Sequence, residues 1–135
     1  MKQALIDTDT LSFFFRNNAN VVRLLDKYLQ EFGYINVSVI TYYEVLNGLY
    51  FKDAKKQLTV FERFIQLNKV LPLTDSIAKK SAEIYADLRS KGQVIGHNDT
   101  LIAGTAIISD MKLITNNIDH FSRIDELDTE NWITQ

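Results

Sequence analysis

The sequence predicts an α/β fold built on a mainly parallel sheet, and three observations predict it. Short apolar runs of strand length alternate with longer segments of helical periodicity. Stop and cap residues separate them at almost every boundary. The chain has 135 residues, 46% apolar and 24% charged, as a soluble domain able to bury its own core should. Strands that alternate with helices form βαβ units, which place helices on both faces of a parallel sheet.

Ala4-Leu5-Ile6 reads as a buried strand that breaks at Asp7-Thr8-Asp9-Thr10, a loop whose Thr or Asp caps the next helix. That helix includes Val21 to Glu31, with Val21, Val22, Leu24, Leu25, Tyr28 and Leu29 at helical spacing and Gly33 as its stop. Tyr34 to Ile40 is a second strand. Thr41 then opens a helix with Glu44 three residues on, a capping-box spacing. A longer helix covers Ala54 to Asn68, with Leu58, Phe61 and Ile65 on one stripe.

Val70-Leu71-Pro72-Leu73 is a third, short strand, and its proline, the chain's only one, suits a sheet edge. Thr74 or Asp75 caps a helix carrying Ile77, Ile84, Tyr85 and Leu88 that ends at Gly92. Asn98 or Thr100 begins an apolar helix, Leu101 to Ile108. Lys112 to Thr115 is a fourth strand, and the segment around Trp132 and Ile133 supplies a fifth.

Composition narrows the chemistry. The chain has no cysteine, so disulfides, thiolate metal sites and thiol nucleophiles are excluded, and a metal would meet oxygen or imidazole. Met1-Lys2-Gln3 leads into a run of only three apolar residues before Asp7 and no apolar run reaches spanning length, so a cytoplasmic protein without a membrane segment is expected. A net charge of −2 lacks the basic footprint of a nucleic-acid binder. Lys52, Lys55, Lys56, Lys79, Lys80, Arg89 and Lys91 gather positive charge mid-chain, either for a polyanion or as ordinary solvated helix faces.

In a parallel sheet the ligand crevice lies beyond the carboxyl ends of the strands. Asp7 follows strand one, Glu44 lies in the turn after strand two, Asp99 opens a helix entered from the same edge, and Asn117 and Asp119 follow strand four. All five fall on one rim. Carboxylates within ~4 Å repel by about 4 kcal/mol per pair at an effective dielectric of 20, so their convergence calls for a cation. Magnesium or manganese suits oxygen ligands, keeps several waters and can activate one against a phosphodiester. Each acid also has a plainer reading: Asp7 as a helix cap, Glu44 as a capping-box residue, Asp99 as a complement to a helix dipole, Asp119 as a solvated loop acid. His97 and His120 lack the spacing of a zinc pair and are expected to face solvent or to hydrogen-bond behind the ligands.

Taken together, Leu5-Ile6-Asp7-Thr8-Asp9, Ser38-Val39-Ile40-Thr41-Tyr42-Tyr43-Glu44, Ile95-Gly96-His97-Asn98-Asp99-Thr100-Leu101-Ile102-Ala103-Gly104, Leu113-Ile114-Thr115-Asn116-Asn117 and the ending Glu130-Asn131-Trp132 resemble the PIN-domain ribonucleases, and more narrowly the VapC-type toxins of toxin–antitoxin pairs. The resemblance implies one PIN-like domain over residues 1–135 with a five-stranded parallel sheet. It also implies a Mg²⁺-dependent endoribonuclease (Mn²⁺ substituting) that is dimeric and held inactive by a co-expressed antitoxin. By position, Asp7, Glu44 and Asp99 would be the metal-binding acids. Asn117 stands where many relatives have Asp, so either three acids suffice or Asp119 reaches in. Thr8, Thr115 and Asn116 would hydrogen-bond a ligand or a water.

Two other readings compete. Asp7-Thr8-Asp9-Thr10 also fits the opening of haloacid dehalogenase-like phosphohydrolases, with Asp7 as nucleophile and Asp9 as acid/base. That family needs a Ser/Thr, then a Lys, then an acidic pair, an order this chain does not follow. A non-catalytic receiver module would want a Lys after the last strand, and residues 131–135 contain none. Phe13, Phe14 and Phe15, ahead of Arg16, suit either the core or a groove for the antitoxin or a second subunit.

Overall fold

A computed structural model describes residues 2–134. Its strands are β1 (Ala4–Ile6), β2 (Asn36–Ser38), β3 (Lys69–Leu71), β4 (Lys112–Ile114) and β5 (Thr129–Glu130). Between them run helices α1 (Thr8–Phe15), α2 (Ala19–Phe32), α3 (Val39–Phe51), α4 (Lys55–Gln66), α5 (Asp75–Ser90), α6 (His97–Ile108) and α7 (Ile118–Phe121). Every pairing in the sheet is parallel, and the strand order is β3-β2-β1-β4-β5. β3 is an edge strand, as Pro72 directly after it foreshadows.

Strand alternation splits the core between two faces. Ala4, Ile6, Val37 and Ile114 point to one face, where Leu11, Val21, Leu25, Tyr28, Phe61 and Trp132 join them from α1, α2, α4 and the segment after β5. Leu5 and Leu113 point to the other and meet Ile84, Leu88, Ile102, Ala103, Ala106 and Phe121 from α5, α6 and α7. Helices therefore cover both faces of the sheet. No helix of the described residues is long and apolar enough to cross a membrane.

Several boundaries differ from the sequence reading. Two helices, not one, lie between β1 and β2, because Asn17 takes a left-handed φ of 61° and Asn18 restarts the helix by accepting from Val21 N at 3.1 Å. The second strand spans only Asn36–Ser38 and ends two residues short of the expected Ile40. Ser38 caps α3 by accepting from Thr41 N at 3.0 Å, so the expected Thr41–Glu44 capping box does not form. β5 lies at Thr129–Glu130, ahead of Trp132 and Ile133, which instead follow the sheet; the Trp132 ring is needed in the core beside Tyr28. The polar turn after β4 contains the short helix α7.

Candidate active site

Strand register assembles the site. Leu5 pairs with Asn36 and Ile6 with Ile114, so Asp7 leaves the sheet beside Thr115 and level with Ser38. Asp7 N donates to Ile114 O at 2.9 Å, which extends the β1–β4 ladder to the acid itself. Asp7 is 5% exposed and caps α1, with Oδ1 accepting from Thr8 N at 2.8 Å and Oδ2 from Thr115 Oγ1 at 2.8 Å.

Burial, and then the neighbouring Asp9 charge, push the Asp7 carboxyl up to about 7; the bonds from Thr115 and Thr8 oppose the rise and Asp99 adds to it. Asp9 is also raised, first by burial, against hydrogen bonds from Thr10 and Asn116 N and with a contribution from Asp99. Asp7, Asp9 and Asp99 thus share one electrostatic field.

Glu44 lies in the second turn of α3, where no cap competes for its carboxylate. Its Oε1 accepts from Thr8 Oγ1 at 2.6 Å, and its Oε2 accepts from Asn98 Nδ2 at 3.4 Å. Thr41 Oγ1, fully buried, lies 3.0 Å from Thr8 Oγ1 and completes the chain of hydroxyls. The first turn of α6 carries Asp99, whose Oδ2 lies 3.3 Å from His120 Nδ1. Asn117 Nδ2 lies 2.9 Å from the same ring nitrogen, and Asn117 N donates to Thr115 Oγ1 at 3.0 Å. Asn116 N donates to Asp9 Oδ2 at 3.1 Å.

The fold therefore brings Asp7, Glu44, Asp99 and Asn117 to one rim with Thr8, Thr115 and Asn116 among them. Asp119 is exposed on α7, and its carboxylate makes no hydrogen bond or ion pair among the described residues. His120 contacts Asp99 and Asn117, whereas His97 stacks on Tyr85 with centroids 4.5 Å apart. Two participants escaped the sequence reading of this site: Asp9, weighed only for phosphohydrolase chemistry, and Asn98, read only as a helix start. The i, i+2 spacing of Asp7 and Asp9 across a helix start was the available signal.

The acids are chemically suited to a hard divalent cation. Among the described residues no Lys or Arg ion-pairs with Asp7, Asp9, Glu44 or Asp99, so their mutual repulsion has no protein counter-charge. All candidate donors are oxygens, the preference of magnesium and manganese. No three His, Asp or Glu side chains of the described residues converge closely enough to hold an ion by themselves. An ion here would therefore bind one or two of these carboxylates directly and meet the others through the waters it keeps.

A groove of about 670 Å³ runs from Thr8 and Glu44 between α1, α3 and α4. Phe15, Val45, Leu49 and Phe61 form its apolar walls, and Arg16, Lys52 and Lys56 stand along it. Phe13 and Phe14 pack on the core with Phe15, whose ring meets Phe61 and Phe64 edge-on.

The comparisons with known proteins agree with this architecture. The PIN domain family matches residues 4–127. The tRNA(fMet)-specific endonuclease VapC of Salmonella typhimurium is 30% identical over 98% of this chain and 99% of its own. Ribonuclease VapC2 of Rickettsia felis is 39% identical over 73% of this chain and 74% of its own, and ribonuclease VapC2 of Haemophilus influenzae 28% over 98% and 100%. The structure of DNA-bound VapBC from Salmonella typhimurium superposes with a TM-score of 0.87 at 30% identity, covering 98% of this chain and 99% of that one. VapBC2 from Rickettsia felis, bound to a promoter DNA fragment, gives 0.86 at 27% identity, over 96% and 98%. No such match supports the phosphohydrolase or receiver readings, and the chain belongs to the PIN-domain family, among the VapC ribonucleases.

Proposed function

We propose that this chain is the toxin of a toxin–antitoxin pair, a cytoplasmic endoribonuclease that cuts RNA phosphodiesters with a divalent ion, Mg²⁺ or in its place Mn²⁺. The observation that carries the reading is the buried Asp7 carboxyl, flanked by Asp9 and Asp99 at the carboxyl rim of the sheet with no Lys or Arg ion-paired to it among the described residues. Asp7, Glu44 and Asp99 are the residues that would hold the ion. When bound, such an ion supplies an activated water and screens the phosphate charge.

The chain's own side chains prepare the place. Thr115 and Thr8 N fix both oxygens of Asp7, Thr8 and Asn98 aim Glu44, and His120 braces Asp99. Such bracing keeps carboxylates in position at little reorganisation cost when substrate arrives. Asn117 stands beside His120 at the site, whereas Asp119 is exposed on α7.

The cognate antitoxin would lay an apolar segment with acidic flanks into the groove beside Glu44, with Phe15, Leu49 and Phe61 taking the apolar side chains and Arg16, Lys52 and Lys56 the charges. A homodimer is read from family membership, and sedimentation of the purified chain tests it.

The deciding experiment incubates total RNA with the protein in magnesium, manganese or chelator, beside Asp7→Asn and Asp99→Asn. Cleavage with either metal, abolished by chelator and by each substitution with the fold intact, is the expected result. Equal cleavage by wild type and both variants overturns the reading.

A further inference from the structure

We propose that the groove between α5 and α6 receives a nucleobase of the RNA being cut, stacked on the His97 ring. The inference rests on the nuclease reading above and names a substrate contact that reading leaves open. The groove holds about 630 Å³, within the roughly 300–1,000 Å³ of small-ligand sites. Ala78, Ala82 and Ala86 line it from α5, so no long side chain fills the space on that wall. His97 and Thr100 border it from α6 and straddle Asp99 in the first turn, so the groove adjoins the candidate cation site.

An unpaired RNA base presents a flat π-face, and proteins take it on aromatic rings, His included, or on the plane of an Arg. Here the exposed His97 ring lies 4.5 Å from that of half-buried Tyr85 and 23° from parallel, so the phenol backs the imidazole. Arg89, exposed in the last turn of α5, also lines the groove. Its guanidinium has no ion pair among the described residues and is free to meet a phosphate. Ser81 borders the same groove, and its buried Oγ has no partner among the described residues, a hydrogen-bonding capacity that no protein group uses.

A protein segment is the rival occupant. Interface cores are anchored by large apolar and aromatic side chains, yet none of those exposed on this chain, Tyr50, Phe51 and Leu67 among them, borders this groove. Nor is the Tyr85–His97 pair needed to fasten α6 to α5, since Ile84, Leu88, Ile102 and Ala103 already bury that contact.

Fluorescence anisotropy of a labelled short oligoadenylate, and of the matching abasic ribose-phosphate chain, tests this on Asp7→Asn protein in chelator, which leaves the RNA uncut. His97→Leu in that background is expected to weaken oligoadenylate binding about 5- to 150-fold, the contribution of one stacked base, and to leave the abasic chain unchanged. His97→Phe should restore the affinity. Arg89→Gln is expected to weaken both chains and to lower the salt dependence by about one phosphate contact. With Asp7 intact and magnesium present, His97→Leu should slow cleavage of dilute total RNA. Oligoadenylate affinity or cleavage that His97→Leu leaves unchanged overturns the proposal, and so does an equal loss with the abasic chain. Sedimentation in which His97→Leu splits a dimer gives the groove to a second copy and overturns it too. Thermal melts report the fold; should His97→Leu unfold, Arg89→Gln that binds both chains as its background does is the overturning result. Wild type that leaves total RNA uncut overturns the nuclease reading, whereas wild type and His97→Leu that cut equally overturn this inference alone.

Discussion

Thr115 Oγ1 donates to Asp7 Oδ2 at 2.8 Å, joining residues 108 positions apart. The same hydroxyl accepts from Asn117 N at 3.0 Å, so Thr115→Val strips one donor from a buried carboxylate and one acceptor from a backbone N–H. A loss of about 1–3 kcal/mol at neutral pH is expected in urea denaturation, with Thr115→Ser close to wild type because it keeps the hydroxyl.

Asp7 also sets a pH dependence. Its carboxyl is raised from 3.8 to about 7, first by burial and then by Asp9, so the folded protein holds this proton more tightly than the unfolded chain. Stability from this group is fully present below about pH 4 and is lost as pH rises through 7; the loss is about 4 kcal/mol. Denaturation of metal-free protein between pH 4 and 8 should show that fall, and Asp7→Asn should flatten it.

Thr8 and Glu44 should separate activity from stability. Thr8→Val removes the 2.6 Å bond that aims the Glu44 carboxylate, so RNA cleavage is expected to fall at least about tenfold, as for other supports of metal-site carboxylates. Thr8→Ser retains the hydroxyl and should retain most of the rate in the same assay.

The cap assignment makes opposite forecasts for two neighbours. Ser38→Ala should cost about 1 kcal/mol, because Ser38 satisfies Thr41 N at the head of α3. Glu44→Gln should leave thermal stability within about 0.5 kcal/mol of wild type, as it is no cap. A capping box would reverse the ranking in a chemical melt.

Gly104 marks the close approach of α5 and α6. A Cβ there would stand 2.0 Å from Ser81 Oγ and 3.2 Å from Ile77 O. Gly104→Ala is therefore expected to destabilise by about 1–3 kcal/mol. Ser81 Oγ is buried without a partner among the described residues, so Ser81→Ala alone should be neutral or stabilising and should recover part of the Gly104→Ala loss.

The parallel sheet, its edge strand at Pro72 and the rim occupied by Asp7, Glu44 and Asp99 were legible because hydrophobic period and strand-end position are local signals. The α1–α2 break was less legible, since phenylalanines run up to it and only Asn17-Asn18 betrays the left-handed turn. Thr41 reads as the start of α3, but β2 pairs no further than Ser38 with Leu71, so the helix begins earlier and Ser38 caps it. Trp132 reads as a strand residue, yet its ring fills a core gap beside Tyr28. Asp9 was hidden because its partner, Asn116 N, is supplied by a loop 107 residues away.

The sheet order places β1 between β2 and β4, so Asp7 acquires Thr115 only after the chain has been threaded through every element in between. At a translation rate of roughly 5–20 residues per second, those 108 positions take about 5–20 s to emerge. Until then Asp7 lacks the one side-chain donor that holds its Oδ2, so the site's buried carboxyl is among the last features of the fold to be completed.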